Sequence, residues 1–249
     1  SCGHSTFFDE MSTRERIAGG RPAIFGKFPW MVHFRYHAKD LNDFVKCGGT
    51  VVKRQWVLSA AHCFKFLEER VEVTVKIGWV NLKQNEMDAE TFLIFKNNIY
   101  IYPEYSPATI DHDIALIRLP QELKINHLIQ MICLGSNEHI TTSQTGIAAG
   151  WGILKAGDTM IPDLLHEAAL TIQGDDSCNK PQQFICAHSP GKDTCGGDSG
   201  GPLMIQKDGR WYQIGVVSHG PTDCGDHSDP GQYTRIPNYL PWIRSYINF

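Results

Sequence analysis

Short runs of β-forming residues, each bounded by turn residues, recur along almost the whole chain. Many short strands with turn signals between them are typical of all-β sandwiches and barrels. The pattern therefore predicts an all-β fold built from barrels. The predicted strands are residues 30–36, 49–52, 56–60, 71–77, 91–94, 114–119, 145–149, 203–205, 212–217 and 231–235.

The end of the chain follows a different period. Leu240, Ile243 and Ile247 recur at helical spacing, and a proline such as Pro241 is tolerated in the first turn of a helix. We therefore expect one C-terminal α-helix, at about residues 239–247.

Length and charge limit the class of protein. With 249 residues the chain is long enough for a sizeable core, in one large domain or two small ones. The formal net charge of −4 provides no basic stripe, so a nucleic-acid partner is not expected. No segment reaches transmembrane length, and we expect no membrane span. The chain opens without a secretory signal, which we expect to be missing from this sequence or removed.

Eight cysteines occur without the paired C-x-x-C spacing of a zinc site. This favours four disulfide bonds and an oxidising compartment over free thiols in a cytosolic enzyme. The cysteine positions alone do not fix the pairing. The H-E-x-x-H motif of a zinc hydrolase is also absent, and no metal site is expected.

The segment CGGDSGGP, residues 195–202, places Ser199 among four glycines. Glycine permits left-handed turns and the close approach of other atoms. Such a turn can direct the N–H groups of Gly197 and Ser199 to one point. There they would stabilise an oxyanion formed when Ser199 Oγ attacks a carbonyl group. The alternative is an ordinary Gly–Ser loop.

A serine nucleophile needs a base whose pKa lies near 7 and a group that orients this base. His62 ends an apolar run and precedes Cys63, whose disulfide would fix its neighbour. Asp113 starts an apolar, β-like run, where burial requires a hydrogen-bonding partner. Taken singly, His62 could be an ordinary core or surface histidine, and Asp113 a turn residue that starts a strand.

The order of His62, Asp113 and Ser199, each within its own motif, resembles the chymotrypsin-like (trypsin-fold) serine peptidase family. The similarity runs from Arg16 to Phe249. Besides the Ser199 segment it includes RIAGG (16–20), FPW (28–30), CGGT (47–50), AAHC (60–63), DIAL (113–116), GWG (150–152) and PGQYT (230–234).

The resemblance implies two six-stranded antiparallel β-barrels packed around a cleft, at about residues 28–120 and 135–235. It implies that His62 is the general base and acid, Asp113 its orienting carboxylate and Ser199 the nucleophile. It requires no cofactor. It also selects four disulfides: Cys2–Cys133, Cys47–Cys63, Cys178–Cys186 and Cys195–Cys224.

The resemblance places Asp193 at the floor of the primary substrate pocket. A carboxylate in a narrow slot is costly to desolvate without a cation, so arginine or lysine is expected before the scissile bond. Read alone, Asp193 would be a surface aspartate. The implied substrate-binding residues are Asp193, Thr194, Ser218, His219, Gly220 and Gly231.

Arg16–Ile17 resembles the activation site of the family, although alone it reads as a loop. Cleavage there would free an α-amino group that pairs with Asp198 and orders the oxyanion hole. Residues 1–16 would then be a light chain held by a disulfide, and residues 17–249 the peptidase domain. The activator would be an upstream protease or the enzyme itself.

Several positions depart from the family pattern. His219 stands where a tryptophan is usual, and Asp223 adds a charge beside the pocket, so selectivity for a narrow set of protein substrates is expected. His33 and Val45 replace residues that hold Asp198 in digestive zymogens. Residues 34–46 are interpreted as an insertion, either a solvated loop or a segment for partner choice.

The sequence therefore predicts a secreted, extracellular serine endopeptidase that cleaves after arginine or lysine through an acyl-enzyme. It is expected to be made as a zymogen within a proteolytic cascade, with serine-protease inhibitors as further partners. The alternative is a non-catalytic homologue that serves as a binding module, but His62, Asp113 and Ser199 are all present.

Overall fold

The computed structural model describes residues 1–5, 20–84, 86–154, 160–189, 197–220 and 229–247. These residues form fifteen strands in two sheets and one α-helix. The predicted all-β class is thereby confirmed. The strands are β1 (Arg21–Pro22), β2 (Met31–Ala38), β3 (Asp43–Lys53), β4 (Trp56–Ser59), β5 (Val73–Ile77), β6 (Glu90–Ile94), β7 (Ile99–Ile101), β8 (Ala115–Arg118), β9 (Cys133–Leu134), β10 (Thr145–Gly150), β11 (His166–Ile172), β12 (Phe184–His188), β13 (Pro202–Lys207), β14 (Arg210–His219) and β15 (Gly231–Arg235).

The first sheet has seven antiparallel strands in the order β6-β5-β2-β3-β4-β8-β7. Alternation along β2 gives the strand one face towards the core, because Phe34, Tyr36 and Ala38 are buried while Arg35 and His37 are exposed. No pairing joins β6 to β7 among the residues described, so this sheet is a curled half-barrel.

The second sheet closes on itself. Strands β10, β13, β14, β15, β12 and β11 pair in sequence, and β11 pairs with both β10 and β12 to complete a six-stranded barrel. The short strand β1 extends this sheet beside β11, and β9 lies parallel to β14.

The runs of β-forming residues in the sequence correctly predicted ten of the strands. They did not predict β1, β7, β9, β11 and β12. Three of these have only two or three residues, too few to show a period. Strand β11 reads HEAALTI, in which three charged or polar residues and two alanines hide the alternation.

The interpretation of residues 34–46 as a solvated loop was wrong. These residues form most of a hairpin in which Ala38 of β2 pairs with Asp43 of β3, and Asn42 turns the chain with φ 49°. Tyr36 is buried, and its hydroxyl donates a hydrogen bond to the Cys63 carbonyl at 2.9 Å. The sequence of this hairpin looked like that of a loop because polar, exposed side chains on one face alternate with the buried side chains on the other.

The C-terminal helix α1 (Leu240–Tyr246) follows the second barrel in sequence but packs on the first sheet. Ile243 is buried in the larger core, which contains residues of both sheets. The ring of Tyr246 lies 6.0 Å from that of Trp56 and 5.1 Å from that of Tyr100. The helix therefore helps to hold the two halves together.

Candidate active site

His62 is positioned by a short 3₁₀ turn, Ala61–Phe64, directly after β4. Its neighbour Cys63 is disulfide-bonded to Cys47 of β3, as the resemblance implied. Ala60, Ala61 and Cys63 are buried, whereas the His62 side chain keeps 20% of its surface exposed. The histidine is thus anchored by its backbone and open to solvent at its ring.

Asp113 reaches the same edge of the sheet because its strand pairs with β4. Ser59, the last residue of β4, lies opposite Ala115, the first residue of β8. The chain that leaves β4 towards His62 therefore meets the chain that enters β8 from Asp113. His112, with φ 56°, makes the turn into this strand.

The carboxylate of Asp113 is fully buried and lies in contact with His62 at two points. His62 Nδ1 is 2.7 Å from Asp113 Oδ2, and the His62 backbone N–H donates to Oδ1 at 2.8 Å. A carboxylate so placed favours the tautomer whose proton is on Nδ1, which leaves Nε2 free to accept a proton.

The second barrel also contributes to the hold on Asp113. The Ser218 hydroxyl donates to Asp113 Oδ2 at 2.6 Å, and the Thr234 hydroxyl donates to the Asp113 carbonyl at 2.8 Å. Sequence reasoning assigned Ser218 to substrate binding and did not single out Thr234. The sequence did indicate that a buried Asp113 must have hydrogen-bond donors, but this requirement does not identify which residues they are.

Ser199 lies beside the turn that carries His62. Its carbonyl accepts a hydrogen bond from Gly48 N–H at 2.7 Å and is 3.6 Å from the Cys63 sulfur. Gly197 and Gly200 flank it with φ of 99° and 80°, in the left-handed region that glycine adopts without strain. The chain around Ser199 thus has the tight, glycine-dependent turn predicted from the sequence.

Comparisons with known proteins show the family of this chain. The family model described as Trypsin matches residues 17–243. The chain belongs to the trypsin family. It is a serine endopeptidase domain, as the sequence predicted.

Three relatives show the extent of the similarity. The venom serine protease Bi-VSP of Bombus ignitus is 34% identical, with 96% of this chain and 69% of that protein covered. Serine protease 41 of Homo sapiens is 34% identical, with 100% of this chain and 80% of that protein covered. The CLIP domain-containing serine protease B4 of Anopheles gambiae is 34% identical, with 94% and 71% covered.

Asp198, next to Ser199 in this trypsin-family chain, directs its carboxylate towards the GWG segment. The Gly152 N–H donates to Asp198 Oδ1 at 2.7 Å. A Cβ atom on Gly150 or Gly152 would overlap the Asp198 carboxyl group, so the two glycines make room for it. Arg16 and Ile17, the predicted activation site, lie outside the described residues.

The described residues include four of the predicted substrate-binding residues, Ser218, His219, Gly220 and Gly231. His219 ends β14, and its ring meets that of Phe184 edge-on at 5.1 Å. Its Nδ1 is 3.2 Å from the Ser218 hydroxyl, and burial, the largest cause, lowers the His219 pKa. Gly231 is buried at the start of β15, and Gly220 is exposed after β14. The Ser218 hydroxyl is directed at Asp113.

Other predicted site residues lie outside the described residues: Asp193, Thr194, Cys195, Asp223 and Cys224. The disulfides Cys2–Cys133, Cys47–Cys63 and Cys178–Cys186 are formed. The Cys195–Cys224 pair remains a prediction. The ligand-type atoms of Cys47, His62 and Cys63 lie close together, but the two sulfurs are bonded to each other and offer no thiolate to a metal ion.

Proposed function

We propose that this endopeptidase works through His62, Asp113 and Ser199 by an acyl-enzyme route. The observation that carries the proposal is the fully buried Asp113 carboxylate fixed on His62 at Nδ1, with Ser199 beside the same turn. Burial shields the carboxylate from water, so that its charge would stabilise the imidazolium form of His62 during the reaction.

In this mechanism Ser199 Oγ attacks the carbonyl carbon of the scissile bond while its proton passes to His62 Nε2. The carbonyl oxygen becomes an oxyanion that the N–H groups of Gly197 and Ser199 stabilise. His62 then gives the proton to the leaving amine, and the acyl group stays on Ser199 as an ester. A water molecule, deprotonated by His62, attacks this ester and regenerates the serine.

A fluorophosphonate probe tests this assignment, because such probes react with an activated serine. We expect the processed protein to be labelled at Ser199 and the Ser199→Ala and His62→Ala variants to remain unlabelled. Ser136→Ala, which changes a half-buried serine whose hydroxyl is hydrogen-bonded to His139, should be labelled like the wild type. A folded, processed protein that resists the probe would favour the non-catalytic binding module.

We propose cleavage after arginine or lysine because Asp193 is expected at the floor of the primary substrate pocket. Glycines at 220 and 231 leave the entrance of the pocket open to a long side chain. Asp193→Ser should reduce kcat/KM on arginine reporter peptides by at least a hundredfold, since a buried cation would lose its partner. The matched change Asp176→Ser, at an exposed aspartate, should leave it unchanged. Unaltered cleavage after arginine in the Asp193→Ser protein would exclude the pocket assignment.

We further propose that cleavage at Arg16–Ile17 activates a zymogen, by an upstream protease or by the enzyme itself. The Cys2–Cys133 disulfide supports a two-chain product, because it ties the first residues to the body of the protein. Arg16→Gln should stay inactive after treatment with an activator that cuts only after basic residues. On non-reducing gels the cut wild type should run as one species, and on reducing gels residues 1–16 should separate.

Disulfide bonds support secretion into an extracellular, oxidising compartment. No helix in the described parts of the chain is long and apolar enough to cross a membrane. We also propose that the enzyme is selective for a narrow set of protein substrates within a proteolytic cascade. Serine-protease inhibitors would control it. His219 supports narrow selectivity, because it presents a smaller, more polar surface than tryptophan to the cleft. His219→Trp should raise kcat/KM on short peptides, and an unchanged peptide profile would remove this support.

A further inference from the structure

Three cationic residues share the outer face of the first sheet. Arg35 of β2 lies directly opposite Lys46 of β3 and, on its other side, opposite Thr74 of β5. Opposite residues of an antiparallel pair project from the same face, and so do residues two apart on one strand. Lys76, two residues beyond Thr74, therefore belongs to this face. We call Arg35, Lys46 and Lys76 the cationic face.

Arg35 and Lys76 of the cationic face contact aromatic rings and a backbone carbonyl. Within the described parts of the chain, none of its three members forms an ion pair with a carboxylate. The Arg35 guanidinium instead lies over the Phe44 ring, 3.6 Å from its centre. Lys76 Nζ lies 3.9 Å from the centre of the Trp79 ring and donates a hydrogen bond to the Leu82 carbonyl at 2.9 Å. Directly opposed like charges destabilise a strand pair, so the arrangement costs folding free energy.

The electrostatic effect reaches neighbouring groups. The pKa of His33 is lowered to about 4, first by burial and then, in decreasing order, by the charges of Lys76, Arg35 and Lys46. Burial, and then Arg35, lowers the pKa of Lys76. These shifts agree with a positive potential over the face.

The cationic face begins where contact with the second barrel ends. His33, opposite Gly48, packs edge-on against Trp151 of the second half, and the Gly48 N–H donates to the Ser199 carbonyl. Arg35 and Lys46 form the next pair on the same face, roughly 7 Å further along the strands. A polypeptide that occupies the cleft at Ser199 can therefore continue directly onto this face.

Exposed apolar side chains flank the cations. Leu93 of β6 lies opposite Thr74 and is 52% exposed, and Phe44 is 40% exposed. Large exposed apolar groups next to charges are typical of surfaces that bind protein. They suit a peptide in which apolar residues alternate with acidic ones better than a polysaccharide, which offers little apolar surface.

We propose that the cationic face binds an acidic segment of the protein substrate, outside the residues that enter the cleft. The identity of this partner as a substrate rests on the proposed function, whereas the binding itself does not depend on catalysis. Such a contact would lower KM for a protein that carries the acidic segment and leave short peptides unaffected. It supplies a physical route to selectivity that the primary pocket alone does not offer.

A binding experiment tests the face without catalysis. The probe is a fluorescein-labelled peptide of glutamates and phenylalanines without arginine or lysine, compared with the same peptide carrying glutamines. We expect the activated protein to bind only the acidic peptide, more weakly at high salt, and the double variant Arg35→Gln/Lys46→Gln to bind it about tenfold more weakly. The matched control is Lys207→Gln/Arg210→Gln, an exposed cross-strand pair on β13 and β14 that loses the same two charges.

Equal weakening in both double variants would overturn the proposal, because net charge alone would then explain binding. Binding of a heparin fragment at the face with no binding of the acidic peptide would also overturn it, in favour of a polysaccharide partner. Thermal unfolding of each variant shows whether the fold is retained. If Arg35→Gln/Lys46→Gln is unfolded, Lys46→Gln alone replaces it in the comparison.

A kinetic experiment links the face to substrate selection. An arginine reporter peptide is extended by a Gly/Ser linker and glutamates, on its amino side in one version and its carboxyl side in another. In the wild type we expect KM to fall about tenfold for one of the two extensions while kcat is unchanged. Arg35→Gln/Lys46→Gln should abolish this gain and cleave the unextended reporter normally. An unchanged KM for both extensions would contradict the proposed link to substrate.

Discussion

Asp113 holds His62 by two separate contacts, one to the ring nitrogen Nδ1 and one to the backbone N–H. The first contact selects the tautomer, and the second fixes the position of the residue that carries the ring. Ser218 occupies a further lone pair of Oδ2. The carboxylate is therefore an organising centre to which both halves of the molecule contribute.

Asp113→Asn should reduce kcat by about 10⁴-fold, because an amide can hold the imidazole in the wrong tautomer. Ser218→Ala leaves both His62 contacts intact and should cost far less, about tenfold. Steady-state hydrolysis of an arginine reporter peptide measures both effects. Equal losses for the two substitutions would contradict the distinction between a group that orients His62 and a group that only supports Asp113.

Gly152→Ala should inactivate the enzyme. Its effect on the thermal unfolding of the protein should be smaller than its effect on activity. The added methyl group would overlap the Asp198 carboxyl group, which is next to Ser199. Gly174→Ala is the matched control, because its Cβ would meet only Thr142 Cγ2, at 3.7 Å. Activity and thermal unfolding are measured for both proteins. Full activity in Gly152→Ala would show that the position of Asp198 is not critical.

Removing the Cys47–Cys63 disulfide with two alanines should destabilise the protein by about 3 kcal/mol, since the bond closes a 16-residue separation. Removing Cys178–Cys186, with a separation of 8, should cost about 2.5 kcal/mol. The first change should also lower kcat, because Cys63 anchors His62. Urea unfolding and peptide hydrolysis below the unfolding transition separate the two effects. Equal kcat values in the two double variants would argue against this anchoring.

Stability should fall on acidification because of His33. Its pKa decreases from the ordinary 6.5 to about 4 in the folded protein, chiefly through burial. The unfolded chain therefore takes up this proton first, as the pH drops below about 6.5. Folding should be fully supported above that pH and lose about 3 kcal/mol between there and pH 4.

His33→Gln should flatten this dependence, because its side chain does not titrate. His127→Gln, at a histidine whose side chain is 56% exposed, serves as the control. Urea unfolding between pH 7 and pH 4 measures the slope for each protein. The same acid sensitivity in His33→Gln and wild type would assign the effect to other groups.

The sequence predicted most of the strands with several residues of clear alternation, as in β2, where Phe34 and Tyr36 alternate with exposed residues. It failed for β11 and for the tip of the β2–β3 hairpin. There the buried side chains are few or small, and the partner strand supplies the missing information. Two-residue strands such as β9 exist only through pairing with a distant segment.

The candidate site divides in the same way. His62, Asp113 and Ser199 could be named from their motifs because each motif is local. Ser218 and Thr234 could not be recognised as donors to Asp113, since they are 105 and 121 residues away in the chain. The cationic face was equally hidden, because Arg35, Lys46 and Lys76 belong to three strands that only the sheet brings together.

By itself, the sequence determined the chemical groups, the all-β class and the glycines that the turn at Ser199 requires. Those properties depend on the conformational preferences of short segments. The tertiary structure alone decided which donors satisfy Asp113, how the hairpin at residues 34–46 folds and which charges lie side by side. The reason is that burial and electrostatic potential depend on distances between atoms that the chain order does not specify.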